Sequence, residues 1–583
     1  MENDSTEILK NGFPQFDRKF FESTEDFTSI GKGSLGGKAS GLAFIKKIIK
    51  EQIDSEKYPS IDINIPRMMV IRTDYFDKFM KRNNLYEIAY SDASDTRIVN
   101  AFLKADLPTE IVGDLRALIE KVNTPIAVRS SSLLEDAKFE PFAGIYETKM
   151  IPNNQASPDT RQHKLFEAIK YVYASTFFKA AKDYMKATNN SIQDEKMSVI
   201  IQEVVGHKYG ERYYPNFSGV ARSFNYYPTG KGKPEDGVID LALGLGKTIV
   251  EGGVSWTYCP KYPKSVPPFA DPEDMLKNTQ TKFWTINMGP IKNYDPTKET
   301  EYLIQPALQD AEEDKSLKYI ASTYDTESER IIMGIGKKGT RVLNFSQLLI
   351  LNEFKFNDLI KHLLKVCEES LNNPVEIEFA ATFDYIKSRM RFGFLQVRPM
   401  VVSSEIVEIS DEEMEAVDVL ISSNKVLGNG NIDNLIDVVY VKPEIFDKKN
   451  TEKIAEEVEE INNKLQDEKT KYVLIGFGRW GSSDPWLGIP VGWGQISNAK
   501  VIVESTLPEI NVELSQGSHF FHNLTSFQVS YISVRYDDNN KIDWDWLNKQ
   551  KVINDMKFVK HIKLKSPLRI KIDGRTGRGV IKK

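Results

Sequence analysis

Apolar and polar positions along this chain repeat with two periods, and the two are interleaved from end to end. Behind a glycine-rich stretch from Ser29 to Lys38, residues Leu42, Ile45 and Ile49 recur at i, i+3 and i+7, which predicts an amphipathic helix opening at a glycine loop. Ile65-Pro66 opens a short apolar run that ends at Arg72-Thr73, a strand followed by a helix around Tyr75–Met80. Pro125-Ile126-Ala127-Val128 is another strand, and it terminates on Arg129. Leu165–Met185 reads as one helix with Leu165, Ile169 and Val172 on one face. Lys196–Gly206 has the continuous apolar run of a buried strand, interrupted by Gln202 and Glu203.

Further strands are expected at Ser218-Gly219-Val220 and Val238–Leu243, and a helix over Phe356–Leu371 carries Ile360, Leu363 and Cys367 on one side. Glu376-Ile377-Glu378-Phe379 alternates as a half-buried strand does, and Phe392–Val397 is a matching strand. Beyond them, Ile454, Val458, Ile461 and Leu465 repeat at 4-3-4 spacing in a charged background, one more amphipathic helix, before strands at Lys500–Glu504 and Val529–Val534. Three segments lack either period. Residues 1–27 read as a polar lead-in, 260–300 as a Pro- and Lys-rich irregular insertion or mobile cover, and 401–425 as an acidic, Ser-containing linker. No internal repeat is present.

Composition narrows the class. At 583 residues the chain exceeds the size at which one core stops growing, so more than one domain is expected. Apolar content of 40% with 27% charged residues is that of a globular protein. Acidic residues (83) slightly outnumber basic ones (77), the opposite of a nucleic-acid-binding footprint. Two cysteines, Cys259 and Cys367, make neither a disulfide framework nor a paired zinc motif, and Cys367 reads as a small buried hydrophobe. No apolar run approaches the ~20 residues of a membrane span, and the acidic N-terminus is wrong for a signal peptide. Cytoplasmic localisation is the expectation.

Candidate chemistry starts at Val128–Thr148, where Arg129 is followed by Ser130, Ser131, Ser132, the acidic pair Glu135-Asp136 and a Phe142-Ala143-Gly144 turn. An arginine delivered by a strand into a loop of hydroxyls and small residues can hold a phosphate, the guanidinium bidentately and the hydroxyls on the remaining oxygens. A surface loop with an ordinary arginine has the same local pattern. The loop before Lys38 offers backbone donors at a helix start, a weak anion signal by itself. Gly244-Leu245-Gly246-Lys247-Thr248 is not a P-loop, because position 241 is Leu where the motif needs glycine. Glu376 and Glu378 point two carboxylates to one face, which calls for a nearby cation unless both are solvated. His163, His207, His362 and His561 read as surface or loop residues.

In order, these pieces resemble the nucleotide-binding half of the phosphoenolpyruvate synthase and pyruvate phosphate dikinase family, over approximately residues 29–400. The resemblance is carried by Gly36-Gly37-Lys38 with Gly41, by Val128-Arg129-Ser130-Ser131 through Glu147-Thr148, and by Gln202. Ser218-Gly219-Val220, Gly244-Leu245-Gly246, Glu376-Ile377-Glu378 and Leu395-Gln396-Val397-Arg398-Pro399 complete it. It implies an ATP-grasp fold of mixed α/β and α+β class, two subdomains clamping ATP. Carried over by position, it implies that Lys38 and Arg129 bind phosphates beside Gly144 and Thr148, and that Gln202 lies near the adenine. Glu376, Glu378 and Gln396 hold Mg²⁺, and Arg398 balances the transferring charge. Lys247 stands in place of the family's glutamate after Gly-Leu-Gly, and the connection from Glu378 to Gln396 is longer than the family's.

The C-terminal part resembles the same family's swivelling phosphohistidine domain, in divergent form. Val501-Ile502-Val503, Gly517-Ser518-His519, Val529–Val534 and Ile572-Asp573-Gly574 with Gly577 fall in the family's order, whereas Phe520-Phe521 replaces its Ala-Ala pair. His519 is either a phosphoryl carrier or a structural histidine beside aromatics, with His522 the weaker candidate. The pyruvate-binding barrel would need some 250 further residues. The implied organisation is a lead-in at 1–27, an ATP-binding domain at 28–400, a linker at 401–425 and a carrier-like domain at 426–583. The implied activity is ATP- and Mg²⁺-dependent phosphoryl transfer, of kinase or dikinase type. It would run through Arg129, Arg398 and His519 to a small-molecule or protein phosphoacceptor, with no nucleic acid or membrane partner and a possible homodimer. The alternatives are an ATP-binding regulatory or interaction protein with a degenerate carrier domain, or an ATP-grasp ligase. The block Gly478–Trp486, with Arg479, Asp484 and two tryptophans, is either an acceptor-docking surface or core packing.

Overall fold

A computed structural model of the chain describes residues 13–23, 25–135, 144–188, 190–226, 228, 230–265, 269, 271–291, 293–400, 402, 407–482, 486–508, 524, 527–536 and 542–583. The chain divides into two compact units. The first comprises Met1–Lys182, Asn190–Phe224 and Thr229–Pro399, the second Asp183–Asn189, Asn225–Pro228 and Met400–Lys583. Both are of mixed α/β class. Among the described residues no helix is long and apolar enough to cross a membrane.

Two larger sheets build the first unit. The five-stranded sheet runs in the order Phe27–Ile30, Met68–Ile71, Met197–Glu203, Ile126–Ser132, Thr148–Ile151. The six-stranded sheet runs Trp256–Tyr258, Val238–Ala242, Phe217–Arg222, Val375–Asp384, Arg389–Pro399, Ile61–Asn64. Strands such as Met68–Ile71 are buried at every residue, which is why they read as continuous apolar runs. The helix Gly37–Gln52 buries Ala39, Leu42, Ala43, Ile45 and Ile48 in the core shared with Ile200, Phe379 and Val397. It starts at Gly36, whose φ of 77° only glycine adopts freely and where a Cβ would lie 1.8 Å from the Ser131 carbonyl oxygen. Gly219 faces Phe379 in the neighbouring strand, and a Cβ there would lie 2.2 Å from the ring. Helix Phe356–Leu371 forms as its apolar period predicts, with Cys367 buried and its thiol pushed up to about 12 by that burial.

Four sequence expectations for this unit change. The stretch read as a polar lead-in includes Phe13, buried and stacked on Phe27 at 4.9 Å, and a one-turn helix Arg18–Glu22. Phe16 N donates to Ser29 O and Ser29 N to Pro14 O, so this segment is sewn onto the outer strand. The helix expected at Leu165–Met185 is two, Pro158–Ser175 and Lys179–Ala187. The break releases Phe177 to pack on Phe76 and Phe102. Residues 260–300 contain a helix, Pro272–Lys277, and a strand, Thr285–Asn287. The long Glu378–Gln396 connection is a β-hairpin whose turn is closed by Asp384, its carboxylate accepting from Ile386 N and Lys387 N.

The second unit is organised on a nine-stranded sheet. Four strands run parallel at its centre: Asn429–Val441, Tyr472–Phe477, Ala499–Ser505 and Ser530–Val534. The helix Thr451–Asp467 connects the first two and buries Ile454, Val458, Ile461 and Leu465, the residues of the 4-3-4 repeat. The segment expected as a linker contributes to this unit from residue 407. Val407 and Ile409 pack on Val580, Asp411–Met414 is a capped helical turn, and Val419–Ser423 is a strand paired with Arg578–Lys582. His561, expected at the surface, is buried on the strand Val559–Asp573, 2.8 Å through Nε2 from Asp437 Oδ1.

Candidate functional site

The strand Ile126–Ser132 carries Arg129 into the middle of the first unit. Two neighbouring strands, Met197–Glu203 and Thr148–Ile151, place Gln202 and Thr148 beside it, Thr148 directly opposite Arg129 across the antiparallel pair. The guanidinium then reaches the other sheet. Nη1 donates to Gln202 Oε1 (3.2 Å) and to Leu395 O (3.0 Å), and Nη2 donates to Gln396 Oε1 (2.9 Å). One half-buried side chain therefore ties both sheets together. Gly144 lies exposed four residues before Thr148 with φ 65°.

Lys38 projects from the first turn of Gly37–Gln52. Its ammonium lies 2.8 Å from Glu135 Oε1 and 3.2 Å from Ser130 Oγ, with the lysine side chain 13% exposed and Glu135 buried. An ammonium has three donors, so one remains for a ligand. The serines behave differently from expectation. Ser130, Ser131 and Ser132 are all buried. Ser130 Oγ donates to Glu135 (2.8 Å), Ser131 Oγ donates to Leu35 O (2.9 Å) and accepts from Ala39 N (3.2 Å), and Ser132 Oγ accepts from Glu135 N (3.1 Å). These hydroxyls shape the loop and anchor the helix start, and they are not displayed to a phosphate. Buried Glu195 adjoins the same group. Burial, opposed by a hydrogen bond from Ser132 and reinforced by the Glu135 charge, pushes its carboxyl up to about 7.

The strands Val375–Asp384 and Arg389–Pro399 pair Glu376 with Arg398 and Glu378 with Gln396. Arg398 Nε donates to Glu376 Oε1 at 2.7 Å, its Nη2 makes a second close contact with the same oxygen, and Nη2 lies 3.2 Å from Glu378 Oε1. The other Glu376 oxygen accepts from Arg222 Nε at 2.6 Å, and Arg222 Nη1 lies 2.8 Å from Asp240 Oδ2. Burial works against the Arg222 charge, yet Glu376 and Asp240 outweigh it and hold the guanidinium's pKa above its ordinary value. Both oxygens of Glu376 are thus engaged by guanidiniums. Glu378 is different: it is 17% exposed, and among the described residues its second oxygen has no partner.

That difference decides which residues suit a hard cation. Glu378 and the Gln396 amide oxygen, which accepts from Arg129 Nη2 at 2.9 Å, are neighbouring oxygen donors, and with that bond exchanged they fit Mg²⁺ completed by water and phosphate oxygens. Glu376, expected from the sequence as a third ligand, is committed to Arg222 and Arg398. Among the described residues no group of three or more His, Cys, Asp and Glu could hold a metal on its own.

Lys247 is bound between Glu251 (2.7 Å) and Glu299 (2.6 Å). Nearby Glu147 is pushed up to about 7 by burial and then by the Glu299 charge, against Lys247. In the second unit Trp480 is buried, its Nε1 donating to Val503 O at 3.2 Å, so that tryptophan is packing, whereas Trp486 is 59% exposed. His519, His522 and Asp484 lie outside the described residues. Sequence reasoning missed Arg222 and Asp240 as members of the charged group, and Glu195 beside Ser132 and Glu135. Arg222 ends an apolar strand much as Arg129 lies within one, which is a signal; its partner in a strand far along the chain gives none.

The model of the family described as pyruvate phosphate dikinase, AMP/ATP-binding domain, matches residues 32–417. That is about two thirds of the chain, and the protein belongs to this family. It is also similar to a protein of Bacillus subtilis (strain 168) named as the uncharacterized phosphotransferase YvkC, with 28% identity over 191 residues. The match covers 33% of this chain and 20% of that protein, so the chain aligns with about a fifth of its relative's length.

Proposed function

We propose that this member of the pyruvate phosphate dikinase AMP/ATP-binding family is an ATP-dependent phosphotransferase, with Mg·ATP held in an ATP-grasp cleft between the two sheets of its first unit. The observation that carries the reading is Arg129, whose single guanidinium meets Gln202, Leu395 O and Gln396. A cation bridging two sheets at a convergence of oxygen acceptors is placed to exchange some of those bonds for phosphate oxygens, where its fork binds bidentately. Family membership and the phosphotransferase relative support the same reading.

In this proposal Lys38 and Arg129 hold the phosphates, Gly144 and Thr148 line the same loop, and Gln202 lies toward the adenine. Glu378 and Gln396 hold Mg²⁺, which would neutralise phosphate charge and fix the orientation of the chain of phosphates. Arg398 balances negative charge as the phosphoryl group departs, the positioning and charge stabilisation on which phosphoryl transfer depends. His519 is the proposed carrier: an ATP P–O bond breaks while a P–N bond forms to its imidazole, and the group passes on to an acceptor, small molecule or protein.

Incubation with radiolabelled ATP tests this. The expected result is an acid-labile, base-stable label on the intact protein, lost in His519→Ala, with AMP or ADP as nucleotide product identified by chromatography. ATP binding without any label would replace the transfer reading with nucleotide sensing. Absence of ATP binding would remove both.

A further inference from the structure

The residues carried over from the family do not include Arg222 or Asp240, yet these two complete the charged group around Glu376. Across four adjacent strands the side chains alternate in sign: Asp240, Arg222, Glu376, Arg398, Glu378. Thr257 Oγ1 donates to the outer oxygen of Asp240 at 2.5 Å and fixes that end. Arg222 lies opposite Glu376 in the strand register, and every link from Asp240 to Arg398 involves a buried or nearly buried side chain. Only the last member, Glu378, is left with a carboxylate oxygen lacking a partner among the described residues.

We propose that Arg222, anchored by Asp240, is a positioning residue that withholds Glu376 from cation binding and aims Arg398 at Glu378, leaving Glu378 and Gln396 to hold the metal. The physical reason lies in what Glu376 would do otherwise. Two carboxylates two residues apart on one strand face repel each other and together attract a divalent ion. With Arg222 on one oxygen and Arg398 on the other, Glu376 is neutralised, and Arg398 is held through Nε and Nη2 on that single oxygen, with Nη2 also reaching Glu378. Three carboxylates against two guanidiniums leave the group one net negative charge, located at Glu378. A weakly negative cation position suits an ion that must arrive with ATP and leave with its product.

This inference rests on the ATP-binding reading, and the test separates the two. Mn²⁺ serves as the probe in place of Mg²⁺, its binding followed by electron paramagnetic resonance, alone and with a non-hydrolysable ATP analogue. The variant Arg222→Met/Asp240→Asn removes one charge of each sign, so the net charge of the group is unchanged. If Arg222 acts only through its field, Mn²⁺ binds this variant as it binds the natural protein. If Arg222 withholds Glu376, the freed carboxylate joins the ligand set. Mn²⁺ without nucleotide then binds about tenfold tighter, as an added carboxylate ligand implies, and labelled-phosphate transfer slows with little change in KM for ATP.

Unchanged Mn²⁺ affinity at an unchanged melting temperature overturns the proposal while leaving the ATP reading intact. Natural protein that takes up no Mn²⁺ with the analogue overturns both. Should the double variant fail to fold, Arg222→Lys keeps the charge but cannot span Glu376 and Asp240 with a planar fork. It is expected to shift Mn²⁺ binding in the same direction, and no shift overturns the proposal.

Discussion

Arg129 and Gln396 stand 267 positions apart in the chain and meet at 2.9 Å, guanidinium Nη2 donating to amide oxygen. The same guanidinium also reaches Gln202 and Leu395 O, so one side chain adds a polar link between the two sheets beside the apolar core they share. In the proposed function, phosphate binding would compete with these hydrogen bonds.

Arg129→Ala is expected to weaken ATP binding by roughly a hundredfold, the scale of about 3 kcal/mol for charge-assisted bonds lost to phosphate. Arg129→Lys recovers only a small part, since an ammonium cannot serve two sheets with a planar fork. Isothermal titration with the non-hydrolysable analogue measures both, and near-natural affinity in Arg129→Ala would remove Arg129 from the site.

Glu195 makes stability depend on pH in a defined window. Folded, it keeps its proton to about 7, whereas an unfolded glutamate loses it near 4.5. Between those values the folded chain binds more protons, so stability falls as pH rises through the window and levels off above it. Glu195→Gln removes that slope and is expected to be more stable than the natural protein at pH 8 by roughly 3 kcal/mol at most. Denaturant titrations at pH 5 and pH 8 check it. Glu147, raised to about 7 by burial and Glu299, adds a slope of the same sign that Glu195→Gln leaves in place.

How much of this could be read from the chain depends on distance along it. The glycine loop before Lys38, the strand that carries Arg129 and the pair Glu376/Glu378 were legible because each is local, a period, a turn and a charge within a few residues, although that strand runs on through Ser132 instead of ending at Arg129. The Arg222–Glu376 contact spans 154 positions, and its register is set by sheet order, which no local pattern encodes. The serines after Arg129 were legible as a motif but not in their role, because their hydroxyls turn inward to Glu135 and the helix start. His561, a lone polar residue in a lysine-rich stretch, reads as a surface or loop residue. The sheet is covered on both faces there, with Ile562 in one core and the helix Thr451–Asp467 against the strand, so both residues are buried.

Two glycines should respond in opposite directions. Gly36→Ala places a methyl 1.8 Å from the Ser131 carbonyl at a φ of 77°, and is expected to cost at least about 2 kcal/mol and to displace Lys38, lowering ATP affinity as well. Gly113 lies exposed within the helix Thr109–Lys121 with nothing within 4 Å of a Cβ, so Gly113→Ala should stabilise by about 0.5–1 kcal/mol. Thermal melts of the two variants side by side test the contrast.

The buried pair His561–Asp437 belongs to the second unit's stability. Replacing His561 with Leu leaves buried Asp437 without its 2.8 Å partner and facing only the partly exposed Lys563 at 3.8 Å, an expected loss of roughly 3 kcal/mol. The double change His561→Leu/Asp437→Leu should recover most of it, because no buried charge is left and Lys563 can turn to solvent. Chemical denaturation followed through the second unit's tryptophans reads both.

The segment Phe13–Ser29 bears on how the protein would be cut for experiment. The family match begins at residue 32, after the outer strand Phe27–Ile30 has ended. An expression fragment trimmed to 32–417 would discard that strand and the Phe13–Phe27 stack, and would bare the backbone of Met68–Ile71 as an open, fully apolar edge. Such an edge invites strand-to-strand aggregation. The stretch that can be recognised by kinship and the stretch that closes this edge of the sheet differ by about one strand and its aromatic clasp.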